Sequence, residues 1–161
     1  MAIETEKKYR LDKKLLVEYT TRLKELGAEF AYEAFEENYL HRGGVLDDRN
    51  ALLQQIEHET IVDDVDATEK IIEKLGYKLS VVYEKHRKAW HFGNVEIVLD
   101  ELPFGVYMEI EGSMEDILTV EKQLGADQLE PEIRGYPRLT AKYGTTVDGV
   151  VESRFEKTTA A

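Results

Sequence analysis

From Ala2 to Leu11 the chain alternates with a period of two: Ile3, Thr5 and Tyr9 fall on one side, Glu4, Glu6 and Lys8 on the other. That is the pattern of a strand with one charged face. After Asp12, a residue suited to cap a helix, the rhythm changes: Leu15, Leu16, Tyr19, Leu23 and Leu26 recur at helical spacing and stop at Gly27. A strand is predicted from Phe30 to His41, with Gly43-Gly44 as a turn, and a long strand from Ala51 to Asp63. Asp66 and Glu69 read as a capping box before Ile71, Ile72 and Leu75. Lys78–Phe92, Val95–Leu102 and Phe104–Glu111 follow as a meander, joined at Gly93-Asn94 and Pro103. Ser113 caps a third helix bearing Met114, Ile117, Leu118 and Leu124 and closed by Gly125. The stretch from Pro131 to Tyr143 reads as a turn and a short docked helix. These elements make one domain over residues 1–144, with residues 145–161 as a polar tail, mobile at its end.

Charged pairs two residues apart recur in the predicted strands: Glu4 and Glu6, Glu57 and Glu59, Lys85 and Arg87, Glu109 and Glu111. Strands that each carry charge on one face suit a barrel with a polar interior better than a sheet over an apolar core. The expected class is therefore α+β: an antiparallel barrel or tunnel of about six strands with helices packed outside. Charged residues make up 34 % of the chain and the net charge is −12, which disfavours nucleic acid as a partner. No segment is apolar enough to span a membrane, and no secretory leader is legible at Met1. Without cysteine there is no disulfide, no thiolate metal site and no cysteine nucleophile, and a cytoplasmic protein is expected. His41, His58, His86 and His91 have no metal-ligand spacing, and His58 and His86 fall on the strand faces opposite the charged pairs. Asp63, Asp64 and Asp66 lack the glycine and closing glutamate of a calcium loop.

Taken in order, Glu4-x-Glu6-x-Lys8, Glu57-x-Glu59-Thr60, Lys85-x-Arg87, Leu99-Asp100-Glu101 and Glu109-Ile110-Glu111-Gly112 resemble the class IV adenylyl cyclase and thiamine triphosphatase (CYTH) family, the triphosphate tunnel metalloenzymes. The resemblance spans Ala2 to about Tyr143. It implies a tunnel that binds a triphosphate-containing small molecule through inward Lys and Arg, and Mg2+ or Mn2+ through inward Glu and Asp. Carried over by position, Glu4, Glu6, Asp100, Glu109 and Glu111 are the implied metal carboxylates. Glu57 and Glu59 are further acids that would hold metal or place water, and Lys8, Lys85 and Arg87 are the phosphate clamps, with Lys8, Glu57 and Glu59 at the chemistry. The implied activity is metal-dependent hydrolysis of inorganic triphosphate, thiamine triphosphate or a nucleoside triphosphate. Two alternatives are conversion of ATP to cyclic AMP and pyrophosphate, and a non-catalytic relative that binds metal, polyphosphate or a protein.

The sequence departs from the family at one place. Arg49-Asn50-Ala51-Leu52-Leu53 runs through Gln54, Gln55 and Ile56 directly into Glu57, where the family places Arg-x-Arg and Thr-x-Lys strands. The seven implied acids then face three implied bases, with Arg42, Arg49, Lys88 and Lys142 as candidate substitutes. A barrel short of strands opens, reseals with fewer, or borrows strands from a second copy, so a homodimer is expected.

Overall fold

The computed structural model describes residues 3–42, 54–56 and 60–156, with the side chains of residues 3, 4 and 54–56 outside the description. The elements run β1 (Ile3–Leu11), α1 (Lys13–Glu25), β2 (Glu29–Arg42), β3 (Gln54–Ile56), α2 (Val65–Lys74), β4 (Lys78–Phe92), β5 (Val95–Leu102), β6 (Gly105–Glu111), α3 (Met114–Leu124), a 3-10 turn (Ala126–Gln128), α4 (Tyr136–Tyr143), β7 (Thr145–Val147) and β8 (Val150–Ser153). Six strands follow the path β3-β1-β6-β5-β4-β2 and curl into a half-barrel, with the four α-helices packed outside. Every pairing on that path is antiparallel, and β8 alone pairs parallel, beside Val81–Tyr83 of β4. Among the described residues no helix is long and apolar enough to cross a membrane.

The period-two pattern of the central strands divides the sheet into two faces. Tyr9 and Leu11 of β1, Ile97 and Leu99 of β5, and Met108 and Ile110 of β6 form the outer, apolar face. They pack against Tyr19 and Leu23 of α1 and Ile117, Val120 and Leu124 of α3, and Trp90 of β4 closes the cluster. Asp12 accepts a hydrogen bond from Leu15 N at 2.7 Å to start α1, and Gly27, at φ 77°, ends it. Lys7 and Tyr9 both donate to Glu121 of α3, which ties that helix down across the apolar face.

Three sequence expectations are corrected. The strand expected over Ala51–Asp63 is confined among the described residues to Gln54–Ile56, paired with β1, and Thr60 to Asp64 are not strand. The cap of α2 is Asp64, which accepts from Ala67 N at 2.8 Å, and Asp66 lies one turn-position inside the helix. An acid two residues earlier than expected already satisfies the free amide of the third helical residue, so the helix begins there. Finally, the stretch after Gly144 forms the β7–β8 hairpin, turned at Asp148-Gly149, and extends the sheet.

Candidate active site

The inner face carries the charge. Lys8 of β1 lies directly across from Glu109 of β6, Asp100 of β5 across from Arg87 of β4, and Glu36 of β2 across from Lys85. Antiparallel register thus places acid beside base on neighbouring strands, where cross-strand pairs interact. Lys8 Nζ sits 2.9 Å from Glu109 Oε1 and 3.3 Å from Glu6 Oε1. Arg87 donates two bonds to Asp100, at 2.8 and 2.6 Å, and a third to Glu109 at 2.9 Å. Lys85 bonds Glu36 at 3.0 Å and stands 3.8 Å from Asp100.

Tyr136, the first residue of α4, joins this network from the end of the half-barrel. Its hydroxyl donates to Asp100 Oδ2 at 2.8 Å, and its ring lies 4.2 Å from the Lys8 ammonium and 5.6 Å from that of Lys85. α4 can place it there because Leu139, one turn on, packs with Leu102, Tyr107 and Tyr83 on the same face. Asp100 is fully buried, and Lys8, Lys85 and Glu109 are nearly so. Buried charges persist only when paired, and each of these has its partner.

The titration of the site follows from this crowding. Burial opposes charge on Lys8 and Arg87, but Glu109 and Glu6 around Lys8, and Asp100 on Arg87, outweigh it and hold both cations more firmly charged than usual. Glu6 is held above the usual carboxylate range, first by burial and then by the charge of Glu109. Burial and the charges of Glu109 and Asp100 keep the Tyr136 phenol neutral, as its role as a donor to Asp100 requires.

Of the residues singled out in the sequence, Glu6, Lys8, Lys85, Arg87, Asp100 and Glu109 come together. Glu111 is half-buried on the same face, in register with Glu6 on one side and Glu96 on the other. Glu4 is in β1 opposite Gln55, with its side chain outside the description; Glu57 and Glu59 lie outside the described residues, as do His58 and Arg49. Lys88 pairs with Glu33 on the outer face, and His86 is exposed there beside Phe35 and Phe155. Sequence reasoning missed Glu36 and Tyr136. Glu36 had a readable signal, since Ala34, Glu36 and Asn38 share the face opposite Phe35 and Tyr39. Nothing local marked Tyr136.

The carboxylates of Glu6, Glu109 and Glu111 are oxygen donors of the kind a hard divalent cation takes. Among the described residues no three acids or imidazoles converge as an ion-binding cluster, and the Lys8 ammonium stands between Glu6 and Glu109.

No protein-family model matches the sequence, and no curated protein does. Solved structures do. PH1012 from Pyrococcus horikoshii OT3 superimposes with a TM-score of 0.70 at 21 % identity, over 84 % of this chain and 98 % of its own. PH1819 from the same organism gives 0.67 at 22 % identity, over 86 % and 99 %. A "putative adenylate cyclase" from Vibrio parahaemolyticus gives 0.68 at 18 % identity, over 86 % and 98 %. At these identities the likeness shows the fold alone.

Proposed function

We propose that the inner face binds a triphosphate and that the protein is a divalent-metal-dependent phosphohydrolase. The observation that carries this reading is the gathering of Lys8, Lys85 and Arg87, from two strands, around Asp100 and Tyr136 on one curved, buried face. A structural ion-pair network has no need to concentrate three cations on one concave surface, whereas a polyanion does.

Lys8, Lys85 and Arg87 bind the phosphate oxygens and take up charge as the bond to the leaving phosphate breaks. Asp100 holds the Arg87 guanidinium in one plane through its two bonds, and Tyr136 holds Asp100. Glu6, Glu109 and Glu111 are the residues that would hold Mg2+ or Mn2+, and the ion would supply positive charge against the phosphoryl oxygens. A second reading, adenylyl cyclisation of ATP with release of pyrophosphate, is favoured by the name of the Vibrio neighbour. It uses the same cations with a ribose hydroxyl in place of water.

Phosphate release from inorganic triphosphate and from ATP, with Mg2+ or Mn2+ and with cyclic AMP measured in parallel, tests both. Lys85→Ala is expected to lower turnover by about 100-fold or more, the usual cost of one preorganised charge-stabilising donor, and Glu6→Gln to lower it through metal affinity. Cyclic AMP without phosphate would favour the second reading. Neither product, at saturating metal, would end both.

A further inference from the structure

The α4 end of the half-barrel holds positive charge that the inner face does not use. Arg10 lies on the inner face of β1, two residues beyond Lys8, and its guanidinium turns outward to Tyr143 Oη at 3.1 Å and the Phe104 carbonyl at 3.2 Å. Both partners are neutral, and among the described residues Arg10 and Lys142 have no carboxylate at ion-pair distance. The two cations bracket one ring: Lys142 Nζ is 4.7 Å and Arg10 Cζ 5.3 Å from the centre of Tyr143. Glu132 feels the charge of Lys142 but is held by Arg134 at 2.7 Å.

Two further observations mark the spot. Tyr107, in register with Arg10, is fully buried, and its hydroxyl has no hydrogen-bond partner, a cost that a native fold rarely leaves standing. Gly105 lies beneath the Arg10 guanidinium and the Tyr107 ring edge; a β-carbon there would stand 3.5 Å from each, in ordinary contact, and the backbone takes a φ of 155° that residues with side chains rarely adopt. Hydrogen bonds to Lys142 and then Arg10 hold the Tyr143 phenol below its usual range.

The geometry points to a second anion site at this end, separate from the inner-face network, in which Arg10, Lys142 and the Tyr143 and Tyr107 hydroxyls receive a phosphate-class oxyanion over Gly105. This inference does not rest on the proposed hydrolase activity, because it needs neither metal nor turnover. With so few donors, one of them buried, affinity for inorganic phosphate is expected near ~1 mM.

The test is a titration of the metal-free full chain, labelled at tyrosine rings for NMR, with inorganic phosphate at constant ionic strength. Saturable shifts at Tyr143 and Tyr107, weakened about tenfold or more in Arg10→Gln and in Lys142→Gln, are expected. Lys142 is exposed and, among the described residues, its side chain bonds no backbone group, so its variant keeps the fold and the comparison stands even where Arg10→Gln perturbs the Phe104 turn. Shifts confined to Tyr136 and Tyr83 would place the anion on the inner face and overturn the second site. So would shifts that both variants leave unchanged, or no saturable shift by about ten times that concentration.

Discussion

Asp100 is the residue on which most of the inner network closes, since Arg87, Lys85 and Tyr136 all meet it. Asp100→Asn removes the charge but leaves Arg87 buried, and breaking such a pair on one side costs about 3–5 kcal/mol, to be read from urea unfolding at neutral pH. Tyr136→Phe removes one hydrogen bond to a buried carboxylate and is expected to cost about 1.5–3 kcal/mol by the same measurement. Glu6 behaves in the opposite sense. Its folded pKa is raised, so between the ordinary carboxylate pKa and that higher value the folded state binds more protons than the unfolded one, and stability falls as pH rises through the window. Glu6→Gln is therefore expected to melt higher than wild type at pH 7, with the gap closing below about pH 4. A gap that widens on acidification would refute the assignment. Lys8, Lys85, Arg87 and Glu109 were legible in the sequence because strand alternation puts charge on one face, and Asp100 only through the resemblance carried by Leu99-Asp100-Glu101. Tyr136 was not, because its place in the network depends on how α4 docks from the far end of the chain.

Among the elements, β4 is the hub: β2 runs along one edge of it, and β5 and β8 share the other. Its outer face is strapped by the segment after β8. Arg154 reaches Glu37 of β2, Glu84 of β4 and Glu152 of β8, and Phe155 N donates to Glu84 at 2.7 Å. Glu84 is buried, so Arg154→Ala is expected to cost about 1–3 kcal/mol. The junction of α4 with β7 is tighter still. A β-carbon on Gly144 would lie 2.6 Å from the Glu152 carbonyl and 2.7 Å from that of Thr140, and backbone cannot swing aside. Gly144→Ala is thus expected to lower stability by about 1–3 kcal/mol, measured as a fall in melting temperature. The meander β4–β6 could be read at once from its long alternation and its Gly-Asn turn. Alternation misled at Thr60 and Ile61, whose strand-like character leads only to the cap of α2. The β7–β8 hairpin carried its signal in Val147-Asp148-Gly149-Val150, but Thr145, Thr146 and Glu152 made strands of three and four residues look like a polar tail.

At the scale of the whole molecule, two electrostatic regimes coexist. The inner network is paired and shielded from solvent, while the exposed surface carries the bulk of a net charge of −12. Surface repulsion acts over about 30 Å at 0.01 M salt and about 3 Å at 1 M, so the melting temperature should rise with sodium chloride between those limits. The stability lost in Asp100→Asn should stay nearly constant over the same range, and a loss that shrinks in parallel with salt would show that the network is solvent-accessible after all. The parallel pairing of β8 with Val81–Tyr83 also has a bearing on synthesis. The two strands are about seventy residues apart, and a ribosome adding roughly 5–20 residues per second needs roughly 4–14 s to cover that distance. Throughout that interval the first half of β4 has β2 on one edge and nothing on the other, and Glu84 lacks Arg154, so the bare edge is open to pairing with other chains until β8 is made.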